Sequence, residues 1–349
     1  MKKGKKLENE LVASPTSSVS DGFEMPAYNA ARPFSSFLPG IAGEFGKPMW
    51  VFYTNRGQCI ASFGVRDKNG AMLEFHAANK AYALTPLHGF RTFLKVSSAQ
   101  TCTHYEPFQY PCADGVTQTL SIHPHEICIE ERHAALGLVI RVVYFGLPNE
   151  TLPALVRQVR IESTSATPLQ IEVLDGIPQV VPFGLEERPL KLMSRTMEAF
   201  AEVLHVADAL PFFKLKVEPG DRPDMQTIEG GFFAFTLADG TQMPIVTDPD
   251  LVFNEDTSLR TPLGFWRTQA LDTMRGRTET LTACAFSQLS LTLHGGSTAG
   301  WDSYFGQTPN WPVAATFRHR VAAEVGYGNM RRAQNADRIA AIGDQFALL

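Results

Sequence analysis

Positive charge is in short supply: 31 Lys and Arg stand against 36 Asp and Glu, a formal net charge of -5. Without a basic excess there is no electrostatic footprint for a phosphate backbone or an anionic lipid surface, so neither nucleic acid nor membrane is an expected partner. Apolar runs are also short. None reaches the roughly 18 residues of a bilayer-spanning helix. The opening MKKGKK has the charge of a secretion-signal start, but LENELVASPTSSVSDG follows where the apolar stretch should be, which predicts a cytoplasmic location. Cysteine is sparse, with Cys59, Cys102, Cys112, Cys128 and Cys284 scattered and no C-x-x-C pair. Reduced thiols follow from that, and a disulfide framework does not.

Several catalytic signatures are missing as well. There is no G-x-S-x-G elbow, no Cys in a His-bearing framework and no Gly-rich phosphate loop; Gly230 and Gly231 before a strand-like run read as a bulge or turn. No internal repeat of 20–50 residues is visible.

What the chain does have is 44% hydrophobic residues, 19% charged residues and 24 Phe in 349 positions, the balance of a globular protein with a Phe-rich core. Residues 1–22 are polar and aperiodic and read as a flexible tail. From Phe23 to Phe305 strand signals dominate, among them MWVFYT, QCIASFGV, AMLEF, FRTFLKV, LGLVIRVVYF, LVRQVRIES, LQIEVLD, FFKLKV, GFFAFTL, MPIVTD and TLTACAFSQLSLTL. Turn formers such as Lys68-Asn69-Gly70 and Ala238-Asp239-Gly240 separate them. Many strands without alternating helices argue for two packed antiparallel sheets, an all-β sandwich of large size over 23–305.

Within it, RQVRIESTSATPLQIEVLDG predicts two strands of one meander around Ser165-Ala166-Thr167-Pro168. Leu190 to Val206 predicts an inserted amphipathic helix. The composition turns Ala- and Arg-rich from Pro312, and 306–349 reads as a helical linker interrupted at Gly326-Tyr327-Gly328.

Candidate chemistry is dispersed. His123 and His125, followed by Glu130, resemble half of a cupin metal motif, but no third imidazole is spaced to complete it and Pro124 disfavours a central strand. Glu74, Glu106, Glu126, Glu130, Glu131, Asp175, Glu198 and Asp256 could supply a glycosidase-type pair, which sequence spacing alone does not identify. Polar residues set among apolar runs form a third group: Asn55, Arg56 and Gln58, then Asn79, Lys80 and Tyr82, then His88 and Arg91. Asn and Gln offer a donor and an acceptor and Arg a planar fork, which suits sugar hydroxyls or phosphate and equally suits tying down the loops of a sandwich.

The segments RPFSSFLPGIAGEFGKPMWVFYTNRGQCIASFGV, EFHAANKAYALTPLHGFRTFLK, MSRTMEAFAEV, IEGGFFAFTL and IVTDPDLVFNEDTSLRTP, in this order, resemble the N-terminal portion of bacterial β-glucan phosphorylases of glycoside hydrolase family 94. Within that family, which includes cellobiose phosphorylase, the likeness is to the 1,2-β-oligoglucan phosphorylases. The resemblance implies a β-supersandwich joined by linker helices to an (α/α)6 barrel, assembled as a homodimer. It further implies that inorganic phosphate, the co-substrate, attacks the anomeric carbon of a β-glucan oligosaccharide with inversion to give glucose 1-phosphate, with no cofactor. The acid of that reaction is an Asp of the barrel, which lies beyond the last residue of this sequence, so no catalytic residue carries over and the isolated chain is expected to be inactive. Asn55, Arg56, Gln58, Lys80, Tyr82 and Arg91 are then candidates for substrate binding or for contact with the barrel or the dimer partner, and Gly57 for a close backbone approach. The other reading is a stand-alone carbohydrate-binding sandwich with Trp266, Trp301 and Trp311 as stacking platforms.

Overall fold

A computed structural model of the chain describes residues 22–98, 101–219, 226–268 and 270–347. The expected tail, apart from Gly22, lies outside the described residues. The strands are β1 (Phe23–Pro26), β2 (Ser35–Leu38), β3 (Trp50–Thr54), β4 (Ile60–Gly64), β5 (Arg91–Ser97) and β6 (Cys102–Tyr105). They continue with β7 (Val116–His123), β8 (Glu126–His133), β9 (Leu138–Gly146), β10 (Ala154–Ser163), β11 (Leu169–Ile177) and β12 (Ala201–Leu204). The last six are β13 (Phe212–Leu215), β14 (Gly231–Ala238), β15 (Thr241–Met243), β16 (Ile245–Val246), β17 (Ala285–Leu293) and β18 (Thr298–Thr308). Six α-helices join them: α1 (Ala78–His88), α2 (Glu187–Met193), α3 (Pro249–Phe253), α4 (Leu263–Arg267), α5 (Trp311–Ala323) and α6 (Tyr327–Ala347).

The sheets are antiparallel. A ten-stranded sheet runs β1-β7-β8-β9-β10-β18-β14-β13-β12 with β15 on β14; a five-stranded sheet runs β16-β17-β11-β5-β6; and β2-β3-β4 form a third. The period-two alternation of each strand explains why two sheets stack. On β9, Val142 and Tyr144 point into the main core while Val143 and Phe145 point the other way, where Phe233, Phe235 and Tyr304 join them under Phe317 and Val321 of α5. On the small sheet, Ile171 and Val173 face the main core and Leu174 faces outward with Phe93 and Phe286 against α3 and α4. The result is four layers: α5 and α6, the large sheet, the small sheet, then α3 and α4. The all-β sandwich expected from the strand pattern is present.

Some local expectations are corrected. β10 and β11 do not pair with each other; β10 lies between β9 and β18, and β11 between β17 and β5, so the chain crosses from one sheet to the other at 164–168. The turn from β17 to β18 crosses beside it, and the two are stitched by Ser163 N donating to Ser297 O at 3.0 Å and Gly296 N to Ser163 O at 2.7 Å. AMLEF forms only a bridge at Ala71, because Leu73 to Ala77 runs on as an irregular extended segment. Leu190 to Val206 is a split element: α2 ends at Met193, a 3₁₀ turn covers Ser194–Phe200, and β12 follows. Leu192 and Met193 of the supposed apolar stripe are exposed, and Met197 alone of that stretch is deeply buried before Ala201. Among the described residues no helix is long and apolar enough to cross a membrane, and all five cysteines carry free thiols.

Candidate functional site

The extended segment Glu74–Ala77 alternates sides. Phe75 points to an aromatic group with Phe37, Trp50 and Phe52, whereas Glu74 and His76 point into a cleft of about 400 Å³. The next element supplies a second wall, since Ala81, Leu84, Thr85 and His88 recur at helical spacing on α1 and all line the same cleft. Pro178 and Pro182 after β11, Met197 and Glu198 in the 3₁₀ turn, and Thr280 to Thr282 close it.

Three non-glycine residues of the lining hold left-handed backbone: Ser194 at φ 46°, Leu259 at φ 55° and Thr280 at φ 59°. For a leucine and a β-branched threonine that conformation is costly, and such strain gathers where surrounding structure enforces a particular shape.

The charged groups of the cleft are unequally satisfied. Arg277 is held by Asp248 (backbone N to Oδ2 2.8 Å) and by Asp250 (Nη2 to Oδ2 2.5 Å). Glu198 accepts from Thr282 Oγ1 at 2.7 Å and from Arg195 Nε at 3.2 Å. His76 Nε2 stands 3.7 Å from the Glu74 carboxylate, beyond hydrogen-bond reach. Burial lowers the pKa of both His76 and His88, with Glu74 opposing the shift at His76 and with His76 and Arg91 reinforcing it at His88. The two rings are therefore neutral at neutral pH, each with one donor and one acceptor nitrogen.

Of the polar residues singled out in the sequence, His88 lines this cleft, whereas Asn55, Arg56, Gln58, Asn79, Lys80, Tyr82 and Arg91 do not. Asn55 is fully buried: its amide donates to Tyr28 O (3.0 Å) and Arg32 O (2.8 Å) and its Oδ1 accepts from Phe34 N (2.8 Å). Arg56 donates to the carbonyls of Asn55 (2.7 Å) and Ala31 (3.0 Å). Gln58 lies between the sheets and accepts from Arg157 Nη2 at 2.6 Å. Arg91 forms a bidentate pair with Glu106 (2.6 and 2.8 Å) and donates to the carbonyls of Leu259 and Arg260. Tyr82 bonds Ser35 Oγ at 3.1 Å, and Lys80 is exposed on α1. Gly57, at φ 54°, is where a Cβ would meet Pro86 Cα at 2.8 Å, so the close approach is real.

The remaining candidates separate in the same way. His123 and His125 flank Pro124 at the β7–β8 hairpin, and Glu130 is engaged by Arg132 and Arg141; among the described residues no group of three His, Cys, Asp or Glu could hold a metal. Of the eight carboxylates, only Glu74 and Glu198 line the cleft. Glu106, Glu126, Glu131 and Asp175 are bound to Arg91, Arg332, Tyr105 and Arg157, and Asp256 caps the turn at Ser258 and Thr261. Trp301 is buried with its Nε1 on Asp175 Oδ2 at 2.9 Å; Trp266 and Trp311 are half-buried, stacked on His104 and His205. The sequence signals that could have located the cleft are the Glu74-x-His76 alternation and the 81, 84, 85, 88 stripe.

No family model and no curated protein matches the chain. Among solved structures it is similar to a polysaccharide lyase, BACCELL_00875 (TM-score 0.44, 10% identity, 76% of this chain and 33% of the lyase), and to a GalM/aldose epimerase homologue from C. elegans (TM-score 0.41, 12% identity, 79% and 99%). It is also similar to a protein assigned as a kojibiose phosphorylase from the human microbiome (TM-score 0.35, 7% identity, 88% and 31%). The chain thus spans about a third of the length of the lyase and of the phosphorylase.

Proposed function

We propose that the chain is a carbohydrate-related sandwich that serves as the non-catalytic N-terminal part of an inverting β-glucan phosphorylase of the 1,2-β-oligoglucan kind, bracing a catalytic (α/α)6 barrel and a homodimer. The observation that carries the reading is where the resembling motifs sit. Asn55, Arg56, Gln58 and Arg91 are spent on backbone carbonyls, amides and buried ion pairs, which is the work of a scaffold, and α5 and α6 lie clamped on the large sheet as a fixed arm. Lys80, the exposed member of the six, is in this reading the contact to barrel or partner.

In the complete enzyme a phosphate oxygen displaces the glucosidic oxygen at the anomeric carbon while the barrel's acid protonates the leaving group; this chain supplies neither and needs no cofactor. The reading keeps the cytoplasmic location expected from the sequence. A stand-alone binding module resting on Trp266, Trp301 and Trp311 lacks support, because one of the rings is buried and the other two are already stacked on histidines.

The test is phosphate release from glucose 1-phosphate with a β-1,2-gluco-oligosaccharide acceptor, first with this chain alone, then with a barrel-bearing polypeptide added. Activity only in the mixture is the expected result. Activity of the chain alone would overturn the non-catalytic role, and silence in both would overturn the phosphorylase reading.

A further inference from the structure

The cleft between α1 and Thr280–Thr282 is lined by none of the side chains assigned above to bracing. We infer that it binds a neutral sugar, a hexose or the end of a gluco-oligosaccharide, with Glu74, His76 and His88 as the polar contacts. The choice of glucose-based ligands rests on the phosphorylase reading, whereas binding at the cleft is measured apart from phosphorolysis.

Size is the first argument. About 400 Å³ falls in the usual range for small-molecule sites, roughly 300–1,000 Å³. Hydrogen-bonding capacity is the second. Among the described residues the Glu74 carboxylate accepts no hydrogen bond, and neither ring nitrogen of His88 makes one, although both side chains line a partly enclosed space. Glu74 and His76 keep 32% and 21% of their side chains exposed, so a solute entering the cleft can reach these open positions. Two neutral imidazoles and a carboxylate that keep open positions suit hydroxyl groups, which donate and accept at the same atom.

Charge then selects among ligands. Of the two cationic side chains of the lining, Arg277 is paired with Asp248 and Asp250, while Arg195 is 89% exposed and gives only its Nε to Glu198; the Glu74 carboxylate is left over. An anion such as phosphate would meet the unpaired Glu74 carboxylate, with cationic help only from the exposed Arg195 and Lys80. A neutral polyol meets no such repulsion. Leu84, Met197, Pro178 and Pro182 give the cleft an apolar side against which the C–H face of a pyranose can lie.

The experiment is ligand-observed NMR and titration calorimetry on the full chain with glucose, a β-1,2-linked glucose disaccharide and, separately, inorganic phosphate. Saturable sugar binding is expected, unaffected by phosphate. Glu74→Gln and His88→Gln should each weaken it by about tenfold or more, the loss for a hydrogen bond to a charged or buried partner. Leu84→Trp, which fills the cleft from α1, should abolish it and serves if either polar variant fails to fold. No saturable sugar binding, binding that survives all three substitutions, or displacement of sugar by phosphate would each overturn the assignment.

Discussion

Arg157 of β10 and Asp175 of β11 meet between the two sheets, Nη2 to Oδ1 at 2.7 Å, with both side chains wholly buried. The guanidinium also donates to Gln58 Oε1, Thr92 Oγ1 and the Tyr144 hydroxyl, and the carboxylate also receives Trp301 Nε1 and Thr92 Oγ1. One network thus ties the large sheet to the small one and to the segment before β4. Removing one partner leaves an unpaired charge in the core, so Asp175→Leu or Arg157→Met should each cost about 3–5 kcal/mol, whereas the two combined should cost less than either alone. Denaturant midpoints of the three variants decide it: additive losses in the double variant would contradict the account.

His88 gives the fold a pH dependence of known sign. Burial lowers its folded pKa below the ordinary 6.5, with His76 and Arg91 acting in the same direction. The unfolded chain therefore takes up the proton first. Stability from this residue is present above pH 6.5 and is lost as pH falls through the folded value. Thermal melts between about pH 7.5 and about pH 5 should fall more steeply for the native chain than for His88→Gln. Parallel profiles would remove His88 from the explanation.

Glu150 is buried and receives Arg320, Tyr327 Oη (2.5 Å) and Arg331 Nη2 (2.5 Å), so one carboxylate holds the junction of α5 and α6 to the large sheet. Glu126 does the same for Arg332. Glu150→Ala should loosen the two helices locally without unfolding the sandwich. Hydrogen exchange at α6 should rise by about tenfold or more while β9 and β10 keep their protection; uniform protection across α6 would show that the helix is held by other contacts.

Gly57→Ala combines a left-handed backbone with a Cβ placed 2.8 Å from Pro86 Cα. It should destabilise by more than about 1 kcal/mol, the cost of the conformation alone. A melting temperature unchanged by the substitution would mean that α1 shifts freely, contrary to the packing described.

How far the sequence disclosed this structure depends on whether a signal is local. Strands with one face on the core and the other under a helix layer, such as 138–146, show themselves by β-branched and aromatic density. The inter-sheet crossing at 164–168 is hidden, because alternation in β10 and β11 is the same whether the two pair or face each other. α1 is hidden too: Ala77 provides no side-chain cap and Pro86 sits inside the helix, so ANKAYALTPLH lacks the usual start mark and carries a helix breaker. TAGWDSYFGQT is not among the strand-like runs, yet among the described residues it forms the longest strand; Gly306 is required there because a Cβ would come within 2.5 Å of Pro153 O. The cleft assembles from segments more than 200 residues apart, and no short window contains Glu74 and Thr282 together.

The position of β18 between β10 and β14 also fixes an order of events during synthesis. Until residue 308 has left the ribosome, the large sheet exists as two separate pieces, each presenting an unpaired inner edge, and β17 leaves the same gap beside β11 in the small sheet. The two consecutive strands β17 and β18 close both gaps. A chain cut shortly before β17 would leave four strand edges unpaired, at β10, β14, β11 and β16, each a template for pairing with a neighbour.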